Sequence, residues 1–217
     1  MKLGLFSVTK FFDKQILKDF TINFKEGKTT VLLGPSGCGK TTVMNLLLGL
    51  IKADKGEIIA DGTAKMSVVF QEDRLLETIT VLQNLLAVNA NENLCIEIIN
   101  SLGIGEAANK YPSQLSGGMK RRVALARAIA YRGDIFILDE PFKGIDVSLK
   151  QRVIEEIKKA IKGKTCVIIT HEIAEAVAVG DEVVILCGNP LIIRKTMALN
   201  ETENPEKLIR EYLECDF

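Results

Sequence analysis

Gly34-Pro35-Ser36-Gly37-Cys38-Gly39-Lys40-Thr41 fits the pattern GxxxxGK[ST], directly after an apolar run at residues 29–33 and directly before a stretch with helical spacing of apolar residues. That is the context the pattern requires, and its chemistry is phosphate binding. Glycines let backbone N–H groups turn inward on phosphate oxygens, and the helix N-terminus adds its positive end. Lys40 can reach the β and γ phosphates, and the Thr41 hydroxyl can ligate magnesium. The competing reading is a plain glycine-rich turn, but at average composition the pattern arises by chance only about once per hundred chains of this length. The chain is therefore expected to bind ATP with Mg2+ and to hydrolyse it.

Two further segments carry chemistry. Ile135, Phe136, Ile137 and Leu138 lead into Asp139-Glu140-Pro141, so two carboxylates emerge where a buried strand ends, and ligands of parallel sheets sit at such ends. Asp139 would hold magnesium, directly or through water, and Glu140 would polarise the attacking water as general base. An acidic pair after a strand is often only a solvated turn or a helix cap, so the assignment leans on the glycine-rich loop. Leu115-Ser116-Gly117-Gly118-Met119 opens a helix that continues with Lys120, Arg121 and Arg122 and then with small apolar residues. Ser116 can cap that helix while the glycines leave backbone amides open, which makes a second anion site in one chain. The basic run at 120–122, taken separately, reads as a solvated helix face.

With these segments in this order, the sequence resembles the ATP-binding cassette family, the nucleotide-binding subunits of ABC transporters, whose signature is LSGGQ followed by a basic stretch. The resemblance covers essentially the whole chain. It implies that Gln71 touches magnesium and the attacking water, that Asp146 belongs to a loop crossing to a partner subunit, and that His171 meets the γ phosphate. Phe12, ahead of Phe11, matches the aromatic residue that stacks on adenine, and Thr42 lies in the phosphate-binding segment. The signature residues Ser116, Gly117 and Gly118 would face nucleotide held by a second copy, so hydrolysis would require a homodimer. The implied assembly adds transmembrane permease subunits and a solute-binding protein, and no nucleic acid. The chain would then sit peripherally on the cytoplasmic face of the cell membrane.

Met119 replaces the usual glutamine of the signature. Residues 71–76, 114–119 and 139–142 look most like importer subunits of the nitrate, sulfonate and taurine group, and Lys143 stands where those proteins usually carry a small residue. The separation of Lys40 from Gln71 is shorter than usual, which implies a trimmed antiparallel region, and the short stretch after His171 leaves no room for an appended domain. An ABC-type exporter, another membrane-complex ATPase, a DNA-maintenance cassette ATPase and a nucleotide-binding switch without turnover are the alternatives. The last two are disfavoured by the lack of long coiled-coil or zinc-binding insertions and by the intact Glu140 and His171.

The elements that must position these groups follow from periodicity. Strands are expected at 3–8, 20–24, 29–33, 66–70, 135–138, 166–169 and 183–186, with helices at 41–51, 117–131 and 148–161 and one more between the last two strands. Residues 52–56 read as turn-like, 74–110 as helices without strands, and 204–217 as a short amphipathic helix. The fold class is α/β: a P-loop NTPase core of the ABC ATPase type, with a mostly parallel sheet covered by helices on both faces. It adds a small N-terminal antiparallel β region and an inserted helical subdomain. In one domain spanning 1–217, residues 1–72 and 111–217 would form a RecA-like core, and about 73–110 the helical part, continuing into the signature at 115–119.

Composition agrees with a folded chain. With 47% hydrophobic residues it can bury a sizeable core, and 28 Lys plus Arg against 28 Asp plus Glu give no global charge for nucleic acid or an anionic membrane. Cys38, Cys95, Cys166, Cys187 and Cys215 lack metal-ligand spacing and read as reduced thiols. No stretch approaches the ~20 apolar residues that span a bilayer.

Overall fold

Every side chain of β3 (Thr29–Leu33) is buried, as in a strand covered on both faces. The computed structural model, which describes residues 2–214, pairs β3 in parallel with β7 (Thr165–Thr170) on one side and β8 (Glu182–Cys187) on the other. β9 (Ile192–Ala198) runs antiparallel along β8, giving the order β7-β3-β8-β9. These strands belong to the first of two units, residues 1–64 with 163–217. The same unit holds a three-stranded antiparallel sheet in which β1 (Leu3–Phe11) lies between β2 (Gln15–Phe24) and β4 (Lys55–Ala60). Its helices are α1 (Lys40–Leu47), α6 (Ile173–Val179) and α7 (Pro205–Glu214); α6 packs on β3 and β7, and α7 on β8.

The second unit, residues 65–162, pairs β5 (Met66–Val69) in parallel with β6 (Ile135–Asp139). Around α4 (Gly117–Tyr131) gather β5, α2 (Val81–Leu86), α3 (Glu92–Ser101) and α5 (Val147–Ile161). The helix starts are specified locally. Thr80 and Gln83 form a reciprocal capping box at α2, and the Asn91 side chain accepts from the Leu94 amide at 3.1 Å to start α3. In α5 the buried residues Val153, Ile154, Ile157 and Ile161 recur on one stripe.

The α/β expectation holds, and β3 and α4 fall on the expected residues. Three details differ. The segment read as turn-like at 52–56 feeds into β4, where Gly56 at φ +87° lets the strand pass close to the Phe6 and Ser7 carbonyls. β9 went unrecognised because Ile192 and Ile193 remain exposed and its middle is charged, so it shows no alternation. The helix expected to reach residue 51 ends at Leu47, since Gly49 turns left-handed and its amide bonds the Leu46 carbonyl. The C-terminal helix is described to Glu214, so Cys215 and the last residues of that expected element lie outside the described residues.

Two stability tests follow from the geometry. Asn84 is fully buried. Its Oδ1 accepts from the Leu76 amide at 2.9 Å, and its Nδ2 donates to the carbonyls of Leu76 and Thr80 at 3.1 and 3.0 Å. Asn84→Ala orphans these groups and is expected to destabilise the fold by about 2 kcal/mol in urea melts; a loss under about 0.5 kcal/mol would show that the bonds carry little. Gly39 starts α1 at φ +116°, and a Cβ there would lie 2.9 Å from Ile16 Cγ2, whereas Gly37 at φ +80° faces open space. Gly39→Ala is expected to cost about 2–3 kcal/mol and Gly37→Ala about 1 kcal/mol, an order readable in thermal melts.

Candidate functional site

In the first unit the glycine-rich segment 34–41 leaves the carboxyl end of β3. Leu33 pairs in register with Thr170, so Gly34 and His171 leave neighbouring strands side by side. Gly34 itself presses on the Leu186 carbonyl of β8 and leaves no room for a side chain. Pro35, Ser36 and Gly37 are exposed, Cys38 and Lys40 are buried, Thr41 is exposed and Thr42 half-buried on the first turn of α1. The Lys40 ammonium, only 5% exposed, donates to the carbonyls of Gly34 and Pro35 at 2.7 Å each and lies 3.9 Å from Cys38 Sγ. Burial pushes the Cys38 thiol up, against the opposing pull of the Lys40 charge. The segment is thus a curled backbone ring closed by its own cation.

His171 is exposed, with Nε2 at 3.5 Å from Glu172 Oε1. The turn that carries it is pinned from below. The Thr170 hydroxyl bonds the buried Glu175 carboxylate at 2.6 Å and accepts from the Glu172 amide at 3.1 Å. In the β1–β2 turn the Phe12 ring is 56% exposed with Lys10 Nζ 5.4 Å from its centroid, and Phe11 is 49% exposed. About half of each residue's surface is open to solvent.

In the second unit Asp139 ends β6 at 2% exposure, and Glu140 follows at φ +50°, a left-handed conformation unusual for a residue with a Cβ. The Glu140 side chain is 11% exposed, and Lys143 Nζ stands 3.9 Å from its Oε2. Lys143, whose effect on its loop the sequence did not specify, therefore contributes a cation beside Glu140. Ser116 caps α4, its hydroxyl accepting from the Met119 amide at 3.3 Å. Gly118 sits against the Gly144 carbonyl so closely that a Cβ there would clash, which brings the signature turn onto the loop ending at Asp146. Asp146 caps α5 through its carbonyl, which accepts from the Leu149 and Lys150 amides.

The basic run at 120–122 is a correction. Lys120 is half-buried, while Arg121 and Arg122 are 3% and 6% exposed rather than solvated. Arg121 Nη1 donates to the Phe70 carbonyl at 2.6 Å and to Asp73 Oδ1 at 3.0 Å; Nη2 bonds the carbonyls of Asp139 and Glu140. Gln71, exposed beyond β5, is thereby linked through its neighbours to the end of β6. Arg122 donates to the carbonyls of Leu102, Gly103 and Gly118. Burial lowers its pKa, and the nearby Asp146 charge opposes that shift. The missed signal is in α4 itself: residues 123–130 are apolar nearly all round, and a helix apolar on every side is buried, including its first turn.

The chain also resembles characterised proteins. A profile described as ABC transporter matches residues 17–143. The aliphatic sulfonates import ATP-binding protein of Agrobacterium fabrum is 35% identical over 209 residues, covering 91% of this chain and 80% of the relative. The nitrate import ATP-binding protein of Synechococcus elongatus is 40% identical over 192 residues, covering 80% of this chain and 29% of that one. The chain spans 56% and 29% of the lengths of two of the curated relatives it matches. A solved dimeric ATP-binding cassette in a post-hydrolysis state, bound to ADP and Pi, superposes with a TM-score of 0.81 at 28% identity, over 91% of this chain and 98% of that chain. Together with the curled glycine-rich segment and the Ser116-capped signature turn, the profile over more than half of its length makes this chain a member of the ABC transporter family.

Proposed function

We propose that this chain binds and hydrolyses ATP as the energy-supplying subunit of an ABC importer. The observation that carries the reading is the buried Lys40 ammonium held on the Gly34 and Pro35 carbonyls inside a loop built on left-handed glycines. Phosphate oxygens are stronger acceptors for a cation than peptide carbonyls, so nucleotide draws the ammonium from the loop to the β and γ phosphates. The backbone amides of 36–41 and the start of α1 hold the remaining charge, with Thr42 on the same turn. The exposed ring of Phe12 offers a stacking face for adenine.

The transition state of phosphoryl transfer needs charge neutralisation and an aligned water more than covalent help. Glu140 accepts the proton of that water as general base, Gln71 orients it, and His171 donates to the γ phosphate. Magnesium would be held by the Thr41 hydroxyl, Gln71 and Asp139. Among the described residues no cluster of three His, Cys, Asp or Glu could hold a metal. The hydroxyl, amide and carboxylate oxygens of these three residues are hard donors of the kind magnesium takes. Bound there, magnesium neutralises phosphate charge. Ser116, Gly117, Gly118 and Asp146 would serve nucleotide held by a second copy, so the working form is a homodimer.

The names of the nitrate and sulfonate relatives support import. No helix among the described residues is long and apolar enough to cross a membrane. In this reading transmembrane permease subunits supply the path. The assembly in this reading places the chain on the cytoplasmic face of the membrane, with a solute-binding protein delivering cargo.

Two variants test the assignment. Glu140→Gln is expected to keep ATP affinity while magnesium-dependent phosphate release falls by about 100-fold or more; turnover near wild type would remove Glu140 from the role of base. Lys40→Ala is expected to weaken binding of a fluorescent ATP analogue at least tenfold, and unchanged affinity would sink the phosphate-cradle assignment.

A further inference from the structure

Arg121 has a donor pattern that a helix-surface cation does not need. Its guanidinium is buried and carries five N–H donors in a rigid plane. One edge reaches the end of β5 through the Phe70 carbonyl at 2.6 Å, with Asp73 Oδ1 at 3.0 Å. The other reaches the end of β6, where Nη2 bonds the Asp139 and Glu140 carbonyls and Nε donates to the Glu140 carbonyl at 3.1 Å. These carbonyls lie where two parallel strands stop pairing, so the sheet no longer supplies their partners. Glu140 is also the residue held at φ +50°, a conformation that persists only when its surroundings impose it.

We propose that Arg121 is a positioning residue for ATP hydrolysis, setting the Glu140 backbone and the Gln71 segment at a fixed separation so that base and water-orienting group move as one body. The proposal rests on the roles given above to Glu140 and Gln71. The side chain bonds backbone rather than either functional group, so it acts through them. A lysine keeps the charge but concentrates it at one point and cannot span both strand ends, while glutamine keeps a planar donor with neither the charge nor the reach.

The test compares Arg121→Gln and Arg121→Lys in the full chain, assembled as wild type. Both are expected to lower kcat tenfold or more with KM for ATP within threefold, the pattern of a lost transition-state arrangement. In the Glu140→Gln background, Arg121→Gln is expected to add less than a twofold further loss, since the two act through one group. Hydrogen exchange gives a reading that needs no turnover: amides at 70–76 and 140–146 should exchange at least tenfold faster in both variants, while those at 123–130 stay as in wild type. The proposal is overturned by folded variants with turnover within twofold of wild type, or by a raised KM with unchanged kcat. It is equally overturned by exchange that quickens along all of 117–131, which would make Arg121 a scaffold residue only. If wild-type turnover proves independent of Glu140 while 70–76 and 140–146 still loosen together, the base assignment fails and the coupling of the two strand ends stands.

Discussion

The carboxyl ends of buried parallel strands impose the constraint on which the rest of this structure depends. Along a strand pair peptide groups find partners on the neighbouring strand, but where β3, β5, β6 and β7 end, the ladder stops and the next peptide groups need other partners. The chain answers with side chains. Lys40 takes the carbonyls after β3, Arg121 takes those after β5 and β6, and the Thr170 hydroxyl with Glu175 secures the turn after β7. Each of these polar groups is almost dry, so its bonds are worth more than surface bonds and its removal leaves an orphan. Strand ends secured in this way can hold functional groups in strained or crowded positions, as Glu140 and Gly34 are held.

This explains why the candidate groups could be picked out in the sequence and the side chains that support them could not. The glycine-rich segment, the Asp139-Glu140 pair and the Ser116-Gly117-Gly118 turn are read from contiguous residues next to strongly apolar runs, and β3, β6 and α4 accordingly lie on or within a residue of the expected positions. Arg121 owes its burial to partners about 20 and 50 residues away, which local charge cannot reveal. The same holds for Asn84, whose amide folds back on the loop before its own helix, and for Glu175, a carboxylate buried under Thr170. β4 and β9 were lost for another reason. Both are strands with much of their surface in water, and neither keeps the two-residue alternation that marks a half-buried strand.

The cysteines follow the same division between local and tertiary information. Their spacing predicts free thiols, and Cys38, Cys95, Cys166 and Cys187 are free and buried. What spacing does not reveal is how dry each one is. Burial within β7 holds the Cys166 thiol far above the ordinary range, so it behaves as a small hydrophobe in the strand that carries His171.

Glu140 sits in a backbone conformation that glycine adopts freely, and the left-handed turn costs any residue with a Cβ about 1 kcal/mol or more. The backbone strain at this position and the role proposed for its carboxylate therefore pull in opposite directions. A population screened only for survival at high temperature would accumulate glycine at 140, whereas the role proposed for Glu140 as base predicts that a screen for ATP turnover would keep the carboxylate.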